Sequence, residues 1–432
     1  MKRLNRLARA RPAQARGPGP PPGVEAELTL AEMGARGDAV ARLDGARVYA
    51  PFTLPGERVR ARVMGERAEV LEFLAESPER VDAPCRLFGI CGGCQLQHWE
   101  EGARLAWKRD EVVRALARRR VEAEVEPALA AWGEGRRRAT LHAERVGRRV
   151  ALGFMERGGA RIQALEACPA LAPALEAALP ALVELGALFA PPRGEVTLAC
   201  FIGVSGIDVN LKGAGRLLAR DREVLERAAK IAEAHDLARI SLDGDTVIMR
   251  RRPIVRMGEV LVDPPPGAFL QPTFAGEAAI AALVMPALQG AKRIIDLFSG
   301  CGPFALRAAA IAPTHAVDSE APMLEALKRA ADAANLNVTV ERRDLFRTPV
   351  AALEMKRFDA AILDPPRAGA RLQTEQLAAS KITRIASVSC DPATFARDAR
   401  ILIDAGFRLT RVTPIDQFRW SAHIEIVGAF ER

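Results

Sequence analysis

Two short segments near the C-terminus carry the residues best suited to chemistry. Asp364 follows an apolar run and begins Asp364-Pro365-Pro366-Arg367, and Cys390 follows the next apolar run in Ser389-Cys390-Asp391-Pro392. In an open α/β sheet, ligands bind at the carboxyl ends of the strands. A thiol at that edge is a candidate covalent nucleophile. The two segments therefore predict an active site at one edge of a parallel sheet.

Both reactive candidates have a purely structural alternative. A helix is expected after Cys390, and its N-terminal dipole would lower the pKa of the thiol, although cysteines at strand ends are often simply buried. Glu425 lies within the apolar run His423–Val427. It is either a base with a raised pKa or an edge charge that prevents aggregation.

A glycine-containing loop upstream predicts a nucleotide-like cofactor. Asp296–Gly302 follows an apolar run, and Gly300 would let the backbone pass close under a ligand. The third glycine of a dinucleotide loop is missing, which weakens the case for NAD. Asp318 ends the next strand, where it can accept from ribose hydroxyls, and Asp344 ends the third, where it can accept from an adenine amino group. This set favours S-adenosylmethionine (AdoMet), although the loop alone could be an ordinary turn.

Alternating strands and helices from about residue 290 predict a doubly wound, Rossmann-like parallel sheet of the α/β class. Two further strands, at 408–414 and 423–430, are expected to pair antiparallel at the end of the chain. The candidate parallel strands are Arg293–Leu297, Thr314–Asp318, Asn337–Glu341, Phe358–Leu363 and Arg384–Val388.

Three thiols within ten residues form a second candidate site. Cys85, Cys91 and Cys94 are spaced by glycines and could wrap one soft metal centre, either an iron–sulfur cluster or zinc. Cys168 is the preferred fourth ligand and Cys200 the alternative. Core cysteines without a metal are the structural alternative.

The remaining sequence divides into a tail, a small β domain and a central region. Residues 1–23 are basic and rich in Pro and Gly, and 24–80 contain four or five short strands that predict an OB-like barrel. Arg58, Arg60 and Arg62 would alternate onto one face, either to meet phosphates or as the solvated side of the sheet. We expect a central α+β region over 81–260 and a catalytic domain over 261–432.

Composition restricts the partners. The chain has 432 residues and a net charge of +8, which favours nucleic acid. No apolar run is long enough to cross a bilayer and no secretory signal is recognisable, so we expect no membrane partner and a cytoplasmic protein with reduced thiols. No obligate protein partner is indicated.

From about residue 24 onward, the chain resembles the TRAM-containing RNA uracil-5 (5-methyluridine) methyltransferases, especially the bacterial 23S rRNA enzymes with an iron–sulfur cluster. The motifs that carry the resemblance are Cys85-x5-Cys91-Gly-Gly-Cys94 with Cys168, Phe269-Leu270-Gln271, Asp296–Gly302, Asp364–Gly369, Val388–Thr394 and His423-Ile424-Glu425.

The resemblance implies AdoMet-dependent methylation of carbon-5 of a uridine in RNA, most of all in 23S rRNA. Cys390 would be the nucleophile and Glu425 the base, and the N-terminal barrel would be a TRAM module that grips RNA. The 4Fe–4S cluster would be held by Cys85, Cys91, Cys94 and Cys168, with a structural or RNA-positioning role. The AdoMet and uracil pocket would be lined by Gln271, Phe298, Gly300, Asp318, Asp344 and Asp364.

The chain departs from the family pattern at several positions. Asp391 stands where Asn is usual, and an added carboxylate there would disfavour the thiolate. Pro303 replaces an Asn, the loop cysteine is Cys301 rather than residue 299, and Glu320 is an alternative to Asp318 at the ribose. Alternative functions are a tRNA uridine-5 methyltransferase, an amino-group methyltransferase using the Asp-Pro-Pro-Arg loop, and an RNA-binding or radical redox protein.

Overall fold

The computed structural model describes residues 23–147, 149–214 and 221–432. The chain forms two compact units. The first holds the described residues up to Gly89 together with Cys94–Arg104 and Trp420–Ala422, and the second holds Ile90–Gly93, Leu105–Arg419 and His423–Arg432. The predicted tail lies outside the described residues except for Gly23, and the predicted domain boundaries stay predictions.

The first unit is built on a six-stranded sheet with the order β1-β5-β6-β4-β3-β2. Because β1 and β2 lie at opposite edges of this order but are consecutive in the chain, the sheet must curl until its edges meet. Between these two strands, the Leu30 N–H donates to the Glu57 carbonyl just before β5, and the Ala31 N–H donates to the Val40 carbonyl of β3, so consecutive residues bond to opposite sides of the order. The strands are β1 Val24–Thr29, β2 Glu32–Met33, β3 Ala39–Leu43, β4 Ala46–Ala50, β5 Arg58–Met64 and β6 Arg67–Ala75.

The exposed arginine row of β5 is neutralised by glutamates of the neighbouring strands. Val59 and Ala61 point into the core, so the arginines between them point outward, as the alternation predicts. Arg58 pairs with Glu27, Arg60 with Glu72, and Arg62 with both Glu25 and Glu69. These contacts favour a solvated, charge-balanced face over a phosphate-binding one.

The second unit begins with a seven-stranded sheet, ordered β10-β9-β8-β11-β12-β13-β14, and four helices. The pattern 174–188 predicts one interrupted helix, and Pro180 explains the break. Proline lacks an N–H and is tolerated only in a first turn, so a new helix starts at Leu179. The elements are α1 Glu101–Arg118, β7 Leu129–Ala130, β8 Arg138–Val146, β9 Arg149–Met155, β10 Ile162–Ala164, α2 Pro173–Ala177, α3 Leu179–Phe189, β11 Glu195–Gly203, β12 Gly206–Lys212, α4 Arg222–Ala234, β13 Leu237–Leu242 and β14 Asp245–Met249.

An eight-stranded sheet, ordered β19-β18-β17-β20-β21-β23-β22-β7, and a two-stranded sheet of β15 and β16 form the rest of the second unit. Strands β17 to β21 are parallel and β23 runs antiparallel to β21, which confirms the predicted α/β class and final strand pair. The elements are β15 Val255–Met257, β16 Val260–Val262, α5 Phe274–Ala287, β17 Ile294–Leu297, α6 Ala305–Ala308, β18 Thr314–Asp318, α7 Ala321–Ala333, β19 Val338–Arg342, β20 Ala360–Leu363, α8 Arg371–Ala379, β21 Arg384–Ser389, α9 Pro392–Asp404, β22 Arg408–Asp416 and β23 Glu425–Glu431.

The central strands of this sheet are buried on both faces. In β17, Ile295 and Leu297 pack into one apolar cluster with residues of α8 and α9, while Ile294 packs into another with residues of α5. The chain winds outward from β17 to β19 and then returns to β20, so strand order reverses between β17 and β20. Ligands bind at such a reversal in open α/β sheets.

No helix in the described part of the chain has the length and apolar character needed to span a bilayer.

Candidate active site

Strand register brings Cys390 and Glu425 to the same place. β21 and β23 are antiparallel, and Ser389 pairs with Ile426. Cys390 comes directly after Ser389, and Glu425 comes directly before Ile426. In this register Cys390 and Glu425 therefore stand opposite each other. Asp364 follows β20, which pairs in parallel with β21 and ends at the same edge. The fold thus gathers a thiol and two carboxyl groups that are far apart in sequence.

The environment of Cys390 favours the protonated thiol. Burial, followed by the charges of Glu425 and Asp364, raises the pKa of Cys390 to about 11. A backbone hydrogen bond and Arg367 act in the opposite direction but are weaker. The predicted lowering of the thiol pKa by the following helix is therefore wrong, because two nearby acids and desolvation outweigh the helix dipole.

Asp391 caps the helix that follows the thiol. Its Oδ1 accepts from the N–H groups of Ala393 and Thr394, at 2.9 and 3.0 Å, at the start of α9. Its Oδ2 lies 3.6 Å from Nε of Arg367. The charge of Asp391 is thus offset by helix N–H groups and a guanidinium, which is the compensation that a carboxylate next to the nucleophile requires.

Asp364 and Glu425 are both shifted toward their neutral forms. Burial, and then the charge of Glu425, raises the pKa of Asp364 to about 8. Burial raises the pKa of Glu425 to about 7, while a hydrogen bond from Gln417 and the charge of Arg138 act to lower it. Near neutral pH, Asp364 therefore carries a proton that it can donate, and Glu425 is present in both its protonated and its ionised form.

Gln271 joins the same cluster through a buried hydrogen-bond chain. Its side-chain Oε1 accepts from Nε2 of Gln417 at 3.0 Å, and the same nitrogen donates to Glu425 Oε2 at 2.8 Å. All three side chains are at most 5% exposed. Gln271, which was predicted from a short motif, is thus connected to the predicted base Glu425 through one side chain, that of Gln417.

A buried ion network holds the loop that carries Gln271. Arg137 donates through Nε to the Gln271 carbonyl at 2.8 Å and through its terminal nitrogen to Glu277 at 2.5 Å. Glu277 also accepts from Arg307 at 2.8 Å, and Arg307 donates to the Pro303 carbonyl in the glycine loop. The network therefore connects the Gln271 loop with the predicted cofactor loop.

The predicted cofactor residues form a cradle after β17 and β18. Gly300 has a positive φ of 52°, and a Cβ added there would meet nothing within 4 Å, so the backbone borders open space. Asp318 accepts from the N–H groups of Gly300 and Glu320, each at 2.9 Å. Asp318 is thereby fixed under the loop, whereas Glu320 is exposed and starts the next helix.

Aromatic and polar groups complete this cradle. Phe298 also has a positive φ, of 67°, and its ring lies 5.3 Å from that of Phe346. Asp344 uses Oδ1 to cap its own turn, accepting from the Phe346 N–H at 3.0 Å.

Among the described residues, the buried Ser299 hydroxyl has no hydrogen-bond partner, and burial, followed by the charges of Asp364 and Asp318, raises the pKa of Asp296 well above its usual value. A buried hydroxyl left unsatisfied beside an open glycine turn fits a polar cofactor such as AdoMet.

The predicted metal ligands are divided between the two units. Cys85 and Cys94 belong to the first unit, and Cys91 and Cys168 belong to the second. Among the described residues, no three His, Cys, Asp or Glu side chains form a group that could hold a metal ion. The Gly93 N–H donates to the Cys91 sulfur at 3.4 Å, a contact that favours a thiolate. The described residues thus present no preformed metal centre, and the predicted cluster stays a prediction.

Two site residues escaped the sequence-based prediction. Gln417 lies in an ordinary-looking Asp-Gln-Phe segment, and Arg138 lies in a run of three arginines at the start of β8. Burial, with repulsion from Arg136 and Arg137, lowers the pKa of Arg138 to about 10. A three-arginine run entering a buried strand was the available signal for Arg138; no comparable signal marks Gln417.

Comparison with known proteins identifies the family. An uncharacterised RNA methyltransferase of Caulobacter vibrioides is 44% identical over 415 residues, covering 94% of this chain and all of the relative. The 23S rRNA (uracil(1939)-C(5))-methyltransferase RlmD of Pseudomonas putida is 32% identical, covering 100% of this chain and 99% of the relative. The family model for tRNA (uracil-5-)-methyltransferases matches residues 238–431. The chain belongs to the RNA (uracil-5-)-methyltransferases.

A solved structure supports the fold of this RNA (uracil-5-)-methyltransferase. The tRNA (uracil-54, C5)-methyltransferase of Pyrococcus abyssi, solved with S-adenosyl-L-homocysteine, superimposes with a TM-score of 0.73 at 23% identity. The match covers 94% of this chain and all of the other. The AdoMet-dependent methyltransferase fold is therefore confirmed, and RNA is the kind of substrate. The family favours carbon methylation over the alternative of an amino-group methyltransferase.

Proposed function

We propose that this enzyme methylates carbon-5 of one uridine in 23S rRNA, with Cys390 as the nucleophile and Glu425 as the base. The observation that carries the proposal is the placement of Cys390 opposite Glu425, with Asp364 at the end of the adjacent strand. This is the residue set that a covalent route through the pyrimidine ring requires.

The first step is addition of the Cys390 sulfur to carbon-6. Carbon-5 of uracil is a poor nucleophile, and a sulfur–carbon bond at carbon-6 moves the ring electrons into an enolate that makes carbon-5 electron-rich. The neutral carboxyl group of Asp364 can donate to the enolate oxygen. Because the resting thiol is protonated, the attacking species is the minor thiolate form, which has lost its proton to solvent and leaves Glu425 ionised for the next step.

The second step is proton removal from carbon-5. When bound, AdoMet supplies an electrophilic methyl group, and Phe298, Gly300, Asp318 and Asp344 would hold it. Glu425 then takes the carbon-5 proton; the electrons of that bond restore the ring double bond, and the Cys390 sulfur is expelled. The target base must leave its stack to reach groups this deeply buried.

The 23S rRNA target is supported by the similarity to RlmD over the whole chain. Mass-spectrometric mapping of 5-methyluridine in RNA from a deletion strain tests it. We expect one 23S rRNA position to lose the methyl group and to regain it when the gene is restored. Loss from tRNA instead would select the tRNA alternative, and no loss from either RNA would contradict the proposal.

The covalent route has a separate test. RNA carrying 5-fluorouridine has no removable proton at carbon-5, so the methylated adduct cannot collapse. We expect a protein–RNA conjugate on a denaturing gel with the wild type and none with Cys390→Ser. A conjugate that persists in the variant would assign the nucleophile elsewhere.

We further propose that Cys85, Cys91, Cys94 and Cys168 hold a 4Fe–4S cluster. Four thiols with glycine spacing, and the N–H contact to the Cys91 sulfur, support this donor set. Iron and sulfide should be found in protein isolated without oxygen and lost in Cys94→Ser. Cys200→Ser is the matched control, since burial raises the pKa of that thiol and disfavours a ligand role. Wild-type protein without iron would overturn the proposal.

A TRAM function for the N-terminal barrel and a cytoplasmic location stay predictions.

A further inference from the structure

A single buried amide group, that of Gln417, connects the proposed base Glu425 with Gln271, which the family resemblance places in the AdoMet and uracil pocket. Nε2 of Gln417 lies 2.8 Å from Glu425 Oε2 and 3.0 Å from Gln271 Oε1. Gln417 is 1% exposed, and its two partners are each 5% exposed. None of the chemical steps above uses Gln417, yet it contacts the proposed base Glu425 and the pocket residue Gln271.

The chemistry of the acceptors determines which end of each amide points where. An ionised carboxylate only accepts hydrogen bonds, so Gln417 must turn its nitrogen, with two hydrogens, toward Glu425. The second hydrogen then reaches Gln271, which must offer its oxygen. A planar amide with its oxygen held in this way presents its own N–H groups in the other direction. The orientation of Gln271 is therefore set by Gln417.

Gln417 itself is held firmly. The preceding residue, Asp416, is fully buried and accepts from Lys108 at 2.6 Å. Lys108 also donates to the carbonyls of Phe418 and His423, at 3.1 and 2.9 Å, on the segment between Gln417 and the base. A Cβ added at Gly276 of α5 would clash with Gln417 Oε1, so the side chain packs closely against that helix.

We propose that Gln417 is a positioning residue that keeps Glu425 ionised for proton removal and orients Gln271 to donate to a carbonyl of the target base. The proposal rests on the roles proposed above for Glu425 and Cys390, and on the expected place of Gln271 in the uracil pocket. Under this proposal, Gln417 affects the rate at which the methylated product is released and contributes to the selection of uracil over cytosine.

The first consequence concerns the base. A hydrogen bond donated to a carboxylate stabilises its charged form, and Arg138 acts in the same direction. The other titratable groups facing Glu425 are Asp364 and Cys390, whose neutral forms its charge favours. Loss of the Gln417 donor should therefore raise the pKa of Glu425 above about 7 and leave less ionised base near neutral pH.

The second consequence concerns the substrate. Uracil presents a carbonyl at position 4, where cytosine presents an amino group. A fixed N–H donor can donate to the uracil carbonyl but repels the cytosine amino group. An amide that can rotate by half a turn would offer its oxygen instead and lose this discrimination. Loss of Gln417 should thus let Gln271 tolerate cytosine.

Gln417→Met tests both consequences, because methionine matches the length of glutamine but donates no hydrogen bond. The substrate is a transcript spanning the uridine found by mapping, labelled with tritium at carbon-5, with AdoMet labelled in its methyl group. Wild type should release one tritium for each methyl transferred. In the variant, we expect methyl transfer into a protein-bound RNA to continue while tritium release slows about tenfold, the effect of losing one hydrogen bond to a charged group.

The pH dependence of tritium release separates this role from a general loss of structure. With Gln417→Met, the acidic limb of the profile should move to higher pH, and with Gln417→Glu, which has nearly the same shape but adds a negative charge, it should move further. The matched control is Gln373→Met, since Gln373 of α8 is 1% exposed and its side-chain amide exchanges hydrogen bonds with the Val350 backbone. An unchanged ratio of tritium to methyl together with an unchanged acidic limb would overturn the role in proton removal.

Trapping with 5-fluorocytidine RNA tests the orientation of Gln271. Relative to 5-fluorouridine RNA, the yield of conjugate with cytidine RNA should rise about tenfold in Gln417→Met and stay low in the wild type and in Gln373→Met. The same low yield in all three proteins would overturn the role in base selection.

Two variants distinguish failure of this inference from failure of the proposed mechanism. Glu425→Gln should accumulate methylated conjugate, and Cys390→Ser should form none. If both behave in this way while Gln417→Met matches the wild type, only the inference about Gln417 is wrong. If Glu425→Gln releases tritium normally, or Cys390→Ser still forms a conjugate, the proposed mechanism itself is wrong.

Discussion

Acidic side chains behave differently in the two units of this protein. On the first unit's sheet, glutamates pair with Arg58, Arg60 and Arg62, and every partner keeps at least 43% of its side chain exposed. At the parallel-sheet edge of the second unit, Asp364 and Glu425 are shielded from water, and their pKa values rise to about 8 and about 7. The difference teaches that solvent exposure and neighbours, not residue type, separate a passive ion pair from a reactive acid.

Among substitutions at the reactive edge of the second unit, loss of the Cys390 thiol should have the largest effect on activity. Cys390→Ala removes the atom that bonds to the ring, so methyl transfer should fall about 10⁴-fold or more. Incorporation of labelled methyl into RNA measures the loss. Cys200→Ala is the control, because Cys200 is buried in β11 away from these acids and should remain close to wild-type activity. Full turnover by Cys390→Ala would remove the basis of the covalent mechanism.

The raised pKa of Asp364 predicts a pH effect with a definite sign. Activity requires ionised Glu425 and protonated Asp364, so the rate should rise with pH through about 7 and fall through about 8. Asp364→Asn keeps a neutral donor and cannot ionise. Its alkaline limb should disappear while it retains more activity at pH 9 than Asp364→Ala. Single-turnover rates across pH measure this; an alkaline limb that survives in Asp364→Asn would belong to another group.

The buried ions behind the site should matter for stability far more than the exposed ones. Arg137→Met leaves Glu277 buried with only Arg307 as its ionic partner and removes the donor to the Gln271 carbonyl. We expect a loss of about 3 kcal/mol in the free energy of unfolding. Denaturant unfolding of the variant and the wild type measures it. A change below about 1 kcal/mol would show that the network is not strongly coupled to the fold.

Arg60→Ala provides the matching test on the first unit. Its pair with Glu72 has an N–O distance of 2.8 Å, but both side chains are about half exposed, so solvent screens the interaction. Unfolding free energy should change by less than about 0.5 kcal/mol, and RNA binding should stay near wild type. A loss of RNA affinity that weakens with salt would instead show that this face contacts phosphates.

The parallel sheet and its ligand edge were predictable because buried strands leave a strong local pattern. The predicted strand Thr314–Asp318 matches β18 of the structure, and the predicted strand Arg384–Val388 matches β21 to within one residue. Each is an apolar or alternating segment ended by turn residues, so neighbours in sequence decide its conformation. The break at Pro180 was less clear, since the sequence marks an interruption but does not say that the chain restarts as a helix.

The sequence by itself determined the inventory: a thiol, a carboxylate and a glycine loop at the ends of apolar strands. It also determined the resemblance to RNA uracil-5 methyltransferases, which the comparisons confirm at that level. Only the tertiary structure decided how these groups ionise, because the pKa of Cys390 depends on burial and on acids 26 and 35 residues away in the chain. Gln417 shows the same dependence, since nothing in the sequence around an amide side chain indicates a role until folding places it between two other side chains. Electrostatic and hydrogen-bond energies follow distance in space, which one-dimensional patterns do not contain.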